Sequence, residues 1–219
     1  MSNQKNKRKD KHNYAVCVID IGSPRLGNIG WSVIDGQTGK EWSGDQLDQL
    51  FPLIPEILDR QGLLLGLEAP LFVPLRSNLL HATKARKGEE RRPWSAGAGA
   101  QVLTMNLPIM VYILEKFMAF GKEIQFLLEE KNFLGAPKQV LIFEALVSGS
   151  DKGDSHIADA QIMTKYCHQF SRNYLLPKSI LEEEEGVRFF NLAAAALLKC
   201  GATNDISSLN LPVPIYKPS

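Results

Sequence analysis

Three apolar runs, each carrying a single acid, constrain this chain more than any other feature. They read Tyr-Ala-Val-Cys-Val-Ile-Asp-Ile over 14–21, Leu-Leu-Leu-Gly-Leu-Glu over 63–68 and Gln-Val-Leu-Ile-Phe-Glu-Ala-Leu-Val over 139–147. Runs of this length without polar alternation predict strands buried on both faces, as in sheets covered by helices. A carboxylate inside such a strand is costly unless it is paired or binds a cation. One such acid is unremarkable. Asp20, Glu68 and Glu144 together ask for a shared explanation.

The intervening segments complete the expected fold. A turn rich in Gly and Pro follows Asp20 and leads to Ile-Gly-Trp-Ser-Val-Ile-Asp, a second strand. Asp35-Gly36 opens a hairpin turn, and Lys40 to Ser43 makes a short third strand. Leu47, Leu50, Phe51, Ile54, Ile57 and Leu58 keep helical spacing, with Pro52 and Pro55 placed to kink or shorten the helix. Residues 69–96 form a long polar stretch. Helices are predicted from about Gly99 to Phe120, with a kink at Pro108, and around Glu123 to Asn132. Ser155 is placed as the N-cap of a helix that buries Ile157, Ala160, Ile162, Met163 and Tyr166. A last helix runs from Val187 to Cys200 and stops at Gly201, and the Pro-rich end is extended. This order predicts an α/β domain with a mixed five-stranded sheet, three antiparallel strands then two parallel, and helices on both faces.

Length and charge narrow the reading further. The 219 residues suit one domain over 14–219, preceded by a basic tail, 1–13, with Lys5, Lys7, Arg8, Lys9 and Lys11. That tail has too little apolar surface to offset its ordering entropy and is expected to be disordered. Formal net charge is +1, so bulk charge does not advertise nucleic-acid binding and any such footprint must be local. The basic stretch inside about 70–97, with Arg76, Lys84, Arg86, Lys87, Arg91 and Arg92, is one such place. The three cysteines, Cys17, Cys167 and Cys200, match neither a zinc spacing nor a disulfide framework. Neither a membrane span nor a secretory signal is expected, and a cytoplasmic location follows.

In open α/β sheets ligands bind beyond the carboxyl ends of the strands. Asp20 and Glu68 both stand at such ends, on strands that are neighbours in the predicted order. His156 and Asp159, three residues apart, share a face of the helix start, where unpaired N–H groups favour nearby negative charge. Asp20, Glu68 and Asp159 can together hold two Mg²⁺ or Mn²⁺ ions, with His156 as an added ligand or a general base. Such a pair of ions suits phosphodiester hydrolysis.

The same residues carry a family resemblance. Val-Ile-Asp-Ile-Gly-Ser-Pro-Arg-Leu-Gly-Asn-Ile-Gly-Trp-Ser-Val-Ile-Asp resembles the first strand and hairpin of RuvC-type Holliday-junction resolvases, within the RNase H-like superfamily. Leu-Leu-Leu-Gly-Leu-Glu-Ala-Pro-Leu-Phe-Val-Pro-Leu-Arg-Ser-Asn is similar to that family's second motif, and Ser-His-Ile-Ala-Asp-Ala-Gln-Ile-Met to its third. Order and approximate spacing hold from Tyr14 to about Phe170, with the basic insertion and the segment after Phe170 as departures. The resemblance implies an RNase H-like sheet, a metal-dependent endonuclease and Asp20, Glu68, His156 and Asp159 as metal ligands. It also implies nucleic acid as partner, with DNA ahead of RNA, branched DNA as a substrate and a homodimer. The competing reading is a catalytically inactive RNase H-like module that binds nucleic acid or protein.

Plainer readings stand beside each of these. Asp20 can be a turn acid, Glu68 a strand-end charge paired with an arginine such as Arg76, and Asp159 a complement to the helix dipole. His156 can simply bond solvent. Glu144 is either a fourth ligand or an acid facing the opposite side, paired with a lysine; Asp151 and Asp154 are turn acids or ligands. The basic stretch either grips phosphates, with Trp94 stacking on a base, or is a solvated loop. The small residues from Ser95 to Ala100 are assigned to close helix packing.

Overall fold

The computed structural model describes residues 12–89, 94–148 and 151–218. The predicted basic tail, up to Lys11, and Arg91 and Arg92 of the basic stretch lie outside them. His12 is already tied down, its N–H donating to the Leu134 carbonyl at 2.9 Å.

The strands are β1 (Tyr14–Asp20), β2 (Gly30–Ile34), β3 (Glu41–Gly44), β4 (Gly62–Glu68), β5 (Phe72–Leu75), β6 (Gln125–Leu127), β7 (Gln139–Ala145), β8 (Arg188–Asn191) and β9 (Ile215–Tyr216). The helices are α1 (Leu47–Leu50), α2 (Ile54–Arg60), α3 (Ala98–Met118), α4 (His156–Ser171) and α5 (Leu192–Lys199). The main sheet runs β3-β2-β1-β4-β7-β6, with β9 also on β7. β1, β2 and β3 pair antiparallel, whereas β1–β4, β4–β7, β7–β6 and β7–β9 are parallel. The three antiparallel strands followed by β4 and β7 are those the sequence predicts.

The sheet is larger than expected. Gln125–Leu127 is a strand beside the start of β7, where a helix around Glu123 to Asn132 is predicted; only a short 3-10 turn, Glu130–Asn132, remains of that helix. The extended Pro-rich end supplies β9, which pairs beyond β6 along the same strand. Two further segments, Phe72–Leu75 and Arg188–Asn191, form a separate two-stranded sheet. Arg188–Asn191 therefore replaces the first turn of the helix predicted from Val187. The helix begins only at Leu192, where the Asn191 side chain caps it by accepting from the Ala194 N–H. Both misreadings have one cause: these short strands are fixed by distant partners, not by local periodicity.

β1 is buried along its length because helices cover both faces. Ala15, Cys17 and Ile19 enter one core with Ile54 and Ile57 of α2, Met110 and Phe117 of α3 and Ala193 and Leu197 of α5. Tyr14, Val16 and Val18 enter the other, with Ala160, Met163 and Cys167 of α4. Helix α3 passes the predicted kink site, Pro108, without interruption. By length and composition it could cross a membrane; Met110, Ile113, Leu114 and Phe117 join the core, and 28% of its apolar window is buried. The alternation along β1 puts Asp20 on the α4 face.

Candidate metal centre

Parallel register sets the first two acids side by side. Asp20 of β1 stands opposite Glu68 of β4 at the carboxyl ends of both strands. The third acid arrives on α4, whose first turn is capped as predicted: Ser155 Oγ accepts from the Ala158 N–H at 3.2 Å. Asp159 lies in that turn, and its Oδ1 accepts from the Gly153 N–H at 2.5 Å. A glycine makes the approach possible. Gly30 pairs with Asp20 across β1 and β2, and a Cβ on it would lie 2.2 Å from the His156 carbonyl carbon.

Asp20, Glu68 and Asp159 each offer a carboxylate oxygen, and these atoms lie within 4.8 Å of one another. Asp20 and Asp159 are buried and Glu68 nearly so. The cluster can hold a metal ion. Its electrostatics ask for one: burial, with the Asp20 charge adding to it, pushes the Glu68 carboxyl up to about 9. Burial also raises Asp20, with His156 beside it pulling the other way. Glu68 Oε2 is buried and has no hydrogen-bond partner among the described residues.

His156 is drawn in differently. Its Nδ1 lies 2.6 Å from Asp20 Oδ2, a contact that fixes the orientation of that carboxyl group. Lys152 was not legible in the sequence. Its Nζ lies 3.3 Å from Asp159 Oδ2 and 3.7 Å from Glu68 Oε1, setting an ammonium against two of the acids. The lysine sits between Asp151 and Asp154 in a loop without periodicity, and the three-acid cluster includes neither of those acids. The chain matches no family model, no curated protein and no solved structure.

Glu144 lies on the other side of the sheet, as one of its two readings had it, but its partner is an arginine. Its register partner is Leu67, not Glu68. The Arg86 guanidinium grips it through two hydrogen bonds of 2.8 and 2.5 Å, and the Leu71 N–H donates to it at 3.0 Å. Glu89 completes the ion cluster, 2.6 Å from Arg86. Arg86 is thus a buried tie between the basic insertion and β7, and its guanidinium lies 4.3 Å from the Phe72 ring centroid. Arg76 is similarly committed, to Glu184 and to the carbonyls of His81, Lys84 and Ala85. Two members of the basic stretch are therefore internal and do not grip phosphates. Of the small residues near Trp94, Gly97 does not serve helix packing: it has φ 54°, and a Cβ there would meet nothing within 4 Å. Ala96, Gly97, Ala98 and Gly99 line a cavity of about 530 Å³ whose wall includes Asp20, Glu68, Lys152 and His156.

Proposed function

We propose that this chain is a metal-dependent nuclease of the RNase H-like class that hydrolyses phosphodiester bonds at the Asp20–Glu68–Asp159 cluster. The observation that carries the reading is the convergence of three carboxylates from two strand ends and one helix start within 4.8 Å. Three carboxylate donors, with Glu68 Oε2 buried and unpartnered among the described residues, fit hard divalent cations such as Mg²⁺ or Mn²⁺. The strand order β3-β2-β1-β4-β7, antiparallel then parallel, supports the RNase H-like assignment.

Two ions held by Asp20, Glu68 and Asp159 would supply an activated water and offset the charge on the leaving oxygen. The protein's part is to hold the ligands still. Asp159 is fixed by the Gly153 N–H and Asp20 by His156. His156, which lines the cavity, would serve as the general base. DNA is the proposed partner ahead of RNA, and a branched substrate cut symmetrically needs a homodimer.

Lys152 favours a second reading, an inactive module in which its ammonium neutralises the acids in place of a cation. Incubation with labelled single-stranded, duplex, branched and hybrid substrates in Mg²⁺ or Mn²⁺ separates the two. Cleavage lost in Asp20→Asn, with nucleic-acid binding retained, supports the nuclease. Binding without cleavage on every substrate supports the second reading and sinks the first.

A further inference from the structure

The cavity at the acid cluster is larger than a phosphate and its ions require. At about 530 Å³ it falls within the ~300–1,000 Å³ range of small-molecule sites. Beyond the acids its wall is largely apolar, with Ile21, Pro70, Trp94, Val102 and Val147. Gly97, Ala96 and Ala98 lie on the same wall. With no side chain beyond a methyl, they keep the space open.

We propose that this cavity receives one unstacked nucleobase of the strand being cut, so that the substrate is a single-stranded or extruded nucleotide and not intact duplex. The inference rests on the nuclease reading for the phosphate that the base follows into the site. The wall decides which part of the nucleotide enters. Among the described residues, Asp20, Glu68, Lys152 and His156 gather at the acid cluster, while Glu89 and Glu144, also on the wall, are already paired with Arg86. Away from bound ions the apolar wall offers a phosphate no partner, whereas a neutral base has only its hydration to lose. Trp94 offers an aromatic surface of the kind on which bases stack regardless of sequence. A base inside a duplex is unavailable to such a pocket until it leaves the stack.

The test uses the full chain and a short single-stranded oligodeoxynucleotide, with Ca²⁺ replacing Mg²⁺ so that the strand stays uncut. A single abasic site is moved along the oligonucleotide and affinity is read by fluorescence anisotropy. One position should cost about ten-fold, the scale of a lost stacking contact. Val102→Trp, which fills the cavity, and Trp94→Ala, which removes the aromatic wall, should each abolish that position dependence. Two variants guard against a fold defect in either, checked by circular dichroism. A flat abasic scan in the wild-type chain overturns the base site. Cleavage in Mg²⁺, measured in parallel, keeps the two readings apart. A flat scan with cleavage leaves the nuclease standing, whereas a position-dependent scan without cleavage leaves the base site standing and removes the nuclease.

Discussion

Gly30 stands opposite Asp20 in the β1–β2 ladder, and its missing Cβ lets the His156 backbone lie against the sheet. Gly30→Ala should therefore push the start of α4 outward and take Asp159 with it. We expect a stability loss of about 1–3 kcal/mol, the usual cost of overpacking, together with weaker Mn²⁺ binding. Thermal melts and titration calorimetry read the two effects. Unchanged metal affinity in a folded variant would detach α4 from the site.

The raised Glu68 carboxyl makes stability depend on pH in a definite direction. Between its ordinary value of 4.5 and about 9, the folded chain keeps a proton that the unfolded chain has released. Stability therefore falls as pH rises through that window, by up to about 1.4 kcal/mol per unit. Mg²⁺ or Mn²⁺ favours the ionised carboxylates and should flatten the fall. Melting temperatures across the window, with and without ion, should show this, and Glu68→Gln should lose most of the slope. An equal slope in that variant would mean that other groups set it.

His156 acts on Asp20 at 2.6 Å and is predicted to tune metal affinity through that contact. His156→Ala should weaken Mn²⁺ binding by about 10–100-fold, the range for partners that orient a ligand. Asp20→Asn should weaken it more. If calorimetry finds His156→Ala the more damaging of the two, His156 is itself a ligand.

The Arg86–Glu144 pair should matter to folding and not to the ion. Glu144→Ala leaves Arg86 with one carboxylate partner, Glu89, in a buried setting. Breaking a buried pair in this way costs about 3–5 kcal/mol, measurable by urea denaturation. Below the unfolding transition, Mn²⁺ affinity should match wild type. A loss comparable to that of Asp20→Asn would place Glu144 in the site after all.

Asp20 and Glu68 were legible because apolar runs end on them, and burial of those runs follows from composition alone. Glu144 was ambiguous for a physical reason. A strand buried on both faces shows no polar alternation, so its phase is invisible until the pairing register is known. The register Leu67↔Glu144 decides it. Asp159 followed from the Ser155 cap and helical spacing, both local. Lys152, Arg86 and the short strands β5, β6, β8 and β9 depend on partners far along the chain, where sequence patterns carry little information.

The tie between Arg86 and Glu144 spans 58 residues, and it bears on the order of events during folding. Closing so long a loop costs entropy before any contact repays it. Until Arg86 arrives, β7 presents a carboxylate with no counter-charge to a core that excludes water. A strand that entered the sheet ahead of the insertion would have to bury Glu144 unpaired or protonated, at a cost in free energy. A segment that looks like surface decoration is in this way part of what makes the middle of the sheet favourable to close.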